Sequence, residues 1–175
     1  MDEVRSRVES RPMLELAVRA VIAGGVVTGS LTAQEQTPVV VFVCEHGSAK
    51  SLIAAQWFNR LSRERGLPAR AVSRGVEPDQ AIPAGIAENL GRDGFELAGV
   101  VPAGLQEQEL ARAARVVVIG TRSPMLDALP TPPERWDDIP PASANYQASR
   151  DAMRPRIDRL LERLTRARGA GKDPR

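Results

Sequence analysis

The chain has 175 residues, 42% of them hydrophobic and 26% charged, and its 24 basic and 22 acidic side chains leave a net charge of +2. That length and composition suit one folded domain with tails and set aside a disordered chain, and so even a charge balance gives no ground for a nucleic-acid partner. One cysteine, Cys44, and one histidine, His46, exclude an internal disulfide, a zinc cluster, a Cys-x-x-Cys redox pair and a nucleophile served by a histidine distant in sequence.

Residues 13–36 read MLELAVRAVIAGGVVTGSLTAQEQ. An apolar stretch follows Arg19 and passes through small residues to Ala33, the arrangement of a secretory signal peptide cut near Ala33 or Gln34. Glu15, Leu31 and the segment before Met13 depart from that pattern, and Met13 offers an alternative start. A run broken by Gly24, Gly25 and Gly29 is short for a membrane span. Residues 1–36 are therefore expected to be a signal peptide or N-terminal extension, touching a membrane only if the segment stays uncleaved. The expected location is periplasmic or secreted if the signal operates, and cytoplasmic otherwise. A lone cysteine tolerates an oxidising compartment, because it has no internal partner.

Residues 38–43 (PVVVFV) are a continuous run rich in β-branched side chains, expected as a strand buried on both faces. Small and polar residues interrupt it at 44–50. Residues 51–65 then carry helical spacing, with Ala54, Trp57, Phe58 and Leu61 on one face and Gly66 as a stop. Residues 69–73 are a second strand, 84–92 a helix, 105–114 a helix and 115–120 (RVVVIG) a third strand. Six prolines from Pro124 to Pro141 break up the connection that follows, and a connection of that length inside a domain is ordered by packing or function. Met153, Ile157, Leu160, Leu161 and Leu164 share one face of a final helix that either kinks at Pro155 or starts there. The folded domain is expected to span 37–168, with a disordered tail at 169–175. Alternating strands and helices imply an α/β fold with a parallel sheet, whose ligands sit at the carboxyl ends of strands. Cys44 falls at such an end.

The turn CEHGSAK at 44–50 joins a buried strand to a helix. Such a turn gathers backbone N–H groups, here those of Glu45, His46, Gly47, Ser48 and Ala49, into a cradle for a phosphate-type anion. The same dipoles favour the thiolate of Cys44, which would lie beneath the bound anion for in-line attack. Lys50 would balance charge on the equatorial oxygens, and Ser51 could hydrogen-bond the sulfur as it leaves. Cys44 could instead be a small buried hydrophobe. His46 either contacts the anion or hydrogen-bonds the backbone, Glu45 is expected to be exposed, and Lys50 could be a plain solvated lysine. Arg74 either adds charge near the site or sits on the surface, Trp136 packs the long loop, and Tyr146 lines the pocket or begins the last helix.

This arrangement resembles the low-molecular-weight tyrosine phosphatase and arsenate reductase superfamily. Its members carry Cys-x5-Arg-Ser directly after the first strand, and Cys44 and Ser51 stand at the matching positions, with Lys50 at that of the arginine. The AVSRG segment and the RVVVIG strand follow in the family's order, so the likeness runs over about residues 38–164. It implies a three-layer α/β fold, a four-stranded parallel sheet with helices on both faces, and catalysis with neither metal nor other cofactor. Two departures matter. Lysine is a point charge where arginine is a planar fork, and the family's Asp-Pro general acid is absent from WDDIPPAS at 136–143. Asp138, or its neighbour Asp137, is the candidate in its place, although an aspartate there is also an ordinary turn residue.

Three functions follow as expectations. The first is a phosphomonoesterase working through a phosphocysteine. The second is an arsenate reductase that borrows an external thiol, since the chain has no second cysteine. The third is an oxyanion-binding module without catalysis.

Overall fold

The computed structural model describes residues 37–170. Val39–Cys44 form β1, whose last five residues are buried. Alternation along this strand sends Val40, Phe42 and Cys44 into one hydrophobic cluster and Val41 and Val43 into another. A strand apolar on both faces must be covered on both. Lys50–Glu64 form α1, which lays Ile53, Ala54, Trp57, Phe58 and Leu61 onto the first face. Arg70–Gly75 form β2, followed by α2 at Ala84–Arg92 and α3 at Glu107–Arg112.

Arg115–Val118 form β3, Pro124–Asp127 the short α4, Glu134–Arg135 the two-residue β4, and Tyr146–Ala170 the long α5. The sheet order is β2-β1-β3-β4 and every pairing is parallel, with Val39 opposite Arg70 and Cys44 opposite Gly75. Helices α1, α2 and α5 contribute to the Phe42 cluster, and Leu110 of α3 and Leu126 of α4 to the Val41 cluster. The result is the three-layer α/β fold expected from the sequence, with helices on both faces.

The last helix begins at Tyr146 and carries Pro155 inside it, so of the two alternatives the start at Pro155 is set aside. Proline leaves one carbonyl of the preceding turn without its N–H, but Pro155 lies on the exposed side of α5, where water can take that place. Met153, Ile157, Leu160 and Leu161 are fully buried on the other side. The helix also takes in Gly169 and Ala170, assigned above to a tail; the remaining tail residues and the signal-like segment 1–36 lie outside the described residues. Among the described residues no helix is long and apolar enough to cross a membrane.

The proline-rich connection is held by Trp136. Its ring is 2% exposed, its centroid lies 5.6 Å from that of Phe42, and its indole N–H donates to Glu134 at 2.9 Å. That anchoring lets Glu134–Arg135 add a fourth strand to the edge beside β3, in a segment whose prolines hide it from pattern reading. Arg74 takes a structural part, clasping Glu109 of α3 through two bonds of 2.7 Å.

Candidate active site

Strand order reverses at β1: α1 leads outward to β2, and the chain returns across β1 to build β3 on the other side. At such a switch the carboxyl ends of two neighbouring strands open a crevice. The loop after β1 and the segment after β3 meet at that end.

Cys44 closes β1 with its side chain 3% exposed, and its Sγ lies 3.0 Å from Oγ of Ser51, itself fully buried. Ser51 is on the first turn of α1. The start of that helix has no side-chain cap, and its first turn holds no acidic residue. Its leading N–H groups and positive dipole end are therefore open to an anion. Inside the buried cluster, a hydroxyl bonded to the sulfur sets Cys44 apart from a plain hydrophobe.

The loop keeps its shape by packing on the end of β2. Val76 N–H donates to the carbonyl of Cys44 at 3.1 Å, Glu77 N–H to that of Glu45 at 2.9 Å, and Asp79 N–H to that of His46 at 3.1 Å. Carbonyl and amide of a trans peptide point opposite ways, so the N–H groups of Glu45 and His46 are turned away from residues 76–77. Gly47 adopts φ +68, and a Cβ there would lie 2.7 Å from the nitrogen of Gly75. Both the left-handed backbone and the close approach call for glycine.

Side chains of the loop separate into two groups. His46 is turned outward, with Nδ1 3.2 Å from the carbonyl of Glu77 and 3.6 Å from Asp79. That is the backbone-bonding alternative of the two read from sequence. Ser48, buried, donates its hydroxyl to the carboxylate of Asp79. Asp79 thus ties the loop by side chain and by main chain, and nothing in the sequence spacing marks it. Ala49 supplies the uncapped N-terminal boundary of α1.

Glu45 and Lys50 go the other way, toward the end of β3. Glu45 is half-buried rather than exposed, and its carboxylate accepts the hydroxyl of Thr121. The Lys50 ammonium lies against Gly120, 2.7 Å from where a Cβ on that residue would stand. Among the described residues Lys50 has no ion-pair partner. Gly120, Thr121, Arg122, Arg135 and Asp137 line an open depression of about 330 Å³. The sequence singled out neither Thr121 nor Gly120 for a role, Gly120 standing only as the last residue of the expected third strand; their one signal was that place at the carboxyl end of the sheet, and β3 itself ends at Val118.

Asp138 is not brought to this loop by any contact. It is exposed and bound to Arg156 of α5 at 2.5 Å, and that bond holds its carboxyl below the usual aspartate range. Asp137 is likewise clasped by Arg135, at 2.8 and 3.0 Å, with its carboxyl also lowered by that bond. An acid kept charged by a guanidinium is poorly suited to give up a proton. Tyr146 opens α5 and donates to Asp93 at 2.7 Å.

Comparison with known proteins places these features in context. Residues 39–128 match the family described as low molecular weight phosphotyrosine protein phosphatase. Among solved structures, YfkJ from Bacillus subtilis superposes with a TM-score of 0.67 at 18% identity, over 77% of this chain and 98% of its own. A thioredoxin-dependent arsenate reductase from Corynebacterium glutamicum gives 0.62 at 20% identity, over 77% of this chain and 65% of its own. The low molecular weight protein tyrosine phosphatase of T. tengcongensis gives 0.58 at 18%, over 74% of this chain and 99% of its own. No curated protein matches the sequence significantly.

Proposed function

Because the chain belongs to the low molecular weight phosphotyrosine protein phosphatase family, we propose that it hydrolyses phosphomonoesters through Cys44. One observation carries the reading: the Cys44 sulfur ends a buried strand, 3.0 Å from the Ser51 hydroxyl, beneath the uncapped start of α1. A phosphoryl group seated on the N–H groups of residues 45–50 presents phosphorus to the sulfur. Attack forms the S–P bond as the ester P–O bond breaks. Water then displaces the sulfur, which leaves as a thiolate stabilised by Ser51. Lys50 offsets charge on the phosphoryl oxygens as a point charge, without the bidentate fit of a guanidinium. Full-length protein should hydrolyse an aryl phosphate, C44S should abolish turnover, and inorganic phosphate should protect Cys44 from alkylation. Equal turnover by C44S would refute the reading.

A second reading rests on the likeness to an arsenate reductase and on the single cysteine. Cys44 would displace water from arsenate, an external thiol attacking that sulfur would release arsenite as a mixed disulfide forms, and a second thiol would reduce it. Arsenate-dependent oxidation of added glutathione or thioredoxin, lost in C44S, distinguishes this from hydrolysis. An oxyanion-binding module would instead show phosphate binding unchanged in C44S with no turnover. The leader-like segment 13–36 supports action outside the cytoplasm, tested by finding an exported form whose N-terminus lies near Gln34.

A further inference from the structure

Expulsion of an alkoxide or phenoxide leaving group needs a proton, and the two aspartates of the late loop are held charged by Arg135 and Arg156. Glu45 stands differently. It follows Cys44 directly and is half-buried, and its Oε2 accepts the Thr121 hydroxyl. Among the described residues it has no cationic partner and Oε1 makes no hydrogen bond. Thr121 is fixed in turn, its carbonyl accepting Arg135 Nη2 at 2.7 Å. Its neighbour Gly120 meets the Lys50 ammonium. The carboxyl and the ammonium thus leave the loop that begins at Cys44 toward two adjacent residues just past β3, Thr121 and Gly120.

We infer that Glu45 is the proton donor to the leaving group, a role that rests on the phosphatase reading above. A carboxylic acid bonded at one oxygen by a hydroxyl can carry its proton on the other. As the Cys44 sulfur bonds to phosphorus, the electron pair of the breaking P–O bond goes to the ester oxygen. The Glu45 proton joins that oxygen, and an alcohol departs. The resulting carboxylate takes a proton from the water whose oxygen attacks phosphorus, the S–P bond breaks, and inorganic phosphate and thiolate are restored. Lys50, against Gly120, carries phosphoryl charge and leaves the proton to Glu45.

The test compares full-length wild type, E45Q, E45D, D138N and C44S on two esters. Phenyl phosphate has a leaving group that requires protonation; 2,4-dinitrophenyl phosphate has one that does not. E45Q should lose about a hundred- to ten-thousand-fold in kcat/KM on phenyl phosphate, and far less on the dinitrophenyl ester, because kcat/KM reports the step in which the leaving group departs. E45D should recover part of that loss. Glutamine still accepts the Thr121 hydroxyl, so the fold is retained, and an unchanged Tm checks it. Equal losses on both esters, or the leaving-group-dependent loss appearing in D138N instead, would overturn the assignment. Absence of Cys44-dependent hydrolysis of both esters by wild type is a distinct outcome, which removes the phosphatase reading and this role with it.

Discussion

Gly75→Ala tests whether the loop owes its shape to the end of β2. Gly75 is the register partner of Cys44, and its N–H donates to the carbonyl of Ala103 at 2.8 Å. A methyl on its Cα would lie 2.7 Å from the carbonyl carbon of His46, 2.8 Å from the nitrogen of Gly47 and 3.0 Å from the oxygen of His46. All three are main-chain atoms of the loop, so no flexible side chain can step aside. Reaching an ordinary contact requires the strand and the loop to separate by about 0.7 Å, and overpacking of this kind costs about 1–3 kcal/mol. In a domain of this size that lowers Tm by on the order of 3–10 °C. The larger effect falls on function. The displaced atoms carry the amides meant for the oxyanion, and a misplacement approaching 1 Å costs on the order of a hundred-fold in rate. The assay is differential scanning fluorimetry with and without phosphate, beside aryl phosphate turnover. G75A should melt earlier, gain little from phosphate and turn over slowly. A variant within about 1 °C of wild type in Tm, with phosphate stabilisation and kcat/KM intact, would refute the packing argument.

Three further outcomes are expected. S51A removes the hydroxyl 3.0 Å from the sulfur; a hydrogen bond to a charged group contributes about 1.5–3 kcal/mol, so kcat should fall about ten- to a hundred-fold, and an unchanged kcat would exclude its role. K50R offers the phosphoryl group a planar fork, and the absence of a side chain on Gly120 leaves room beside it; kcat should rise by on the order of ten-fold, whereas no change would show that lysine is not what limits turnover. Burial, and then the bond to Asp93, push the Tyr146 hydroxyl well above its usual range. The folded protein keeps that proton to higher pH than the unfolded chain does, so this contribution is complete below about pH 10 and is lost as pH rises further. Urea midpoints followed into that range should fall more steeply for wild type than for Y146F, and parallel curves would contradict the assignment.

Much of this molecule is written locally. The run VVVFVC is continuously apolar and rich in β-branched residues, the pattern of a short strand covered on both faces. A turn of small residues before a helical period places Cys44 and Ser51 seven positions apart across a loop, and the two side chains do meet. The sequence therefore determined the parallel α/β frame, the loop and its candidate nucleophile, because these depend on neighbours along the chain. Tertiary structure alone decided where the charges go. Glu45 meets Thr121 across 76 positions, Ser48 meets Asp79 across 31, and Asp138 meets Arg156 across 18. No periodicity encodes such pairs. Pro155, which reads as a kink or a helix start, is carried within α5, where it lies exposed while buried residues on the opposite side hold the helix. The chemistry of a carboxyl is set by the charge it faces, and which charge that is emerges only when distant segments pack together.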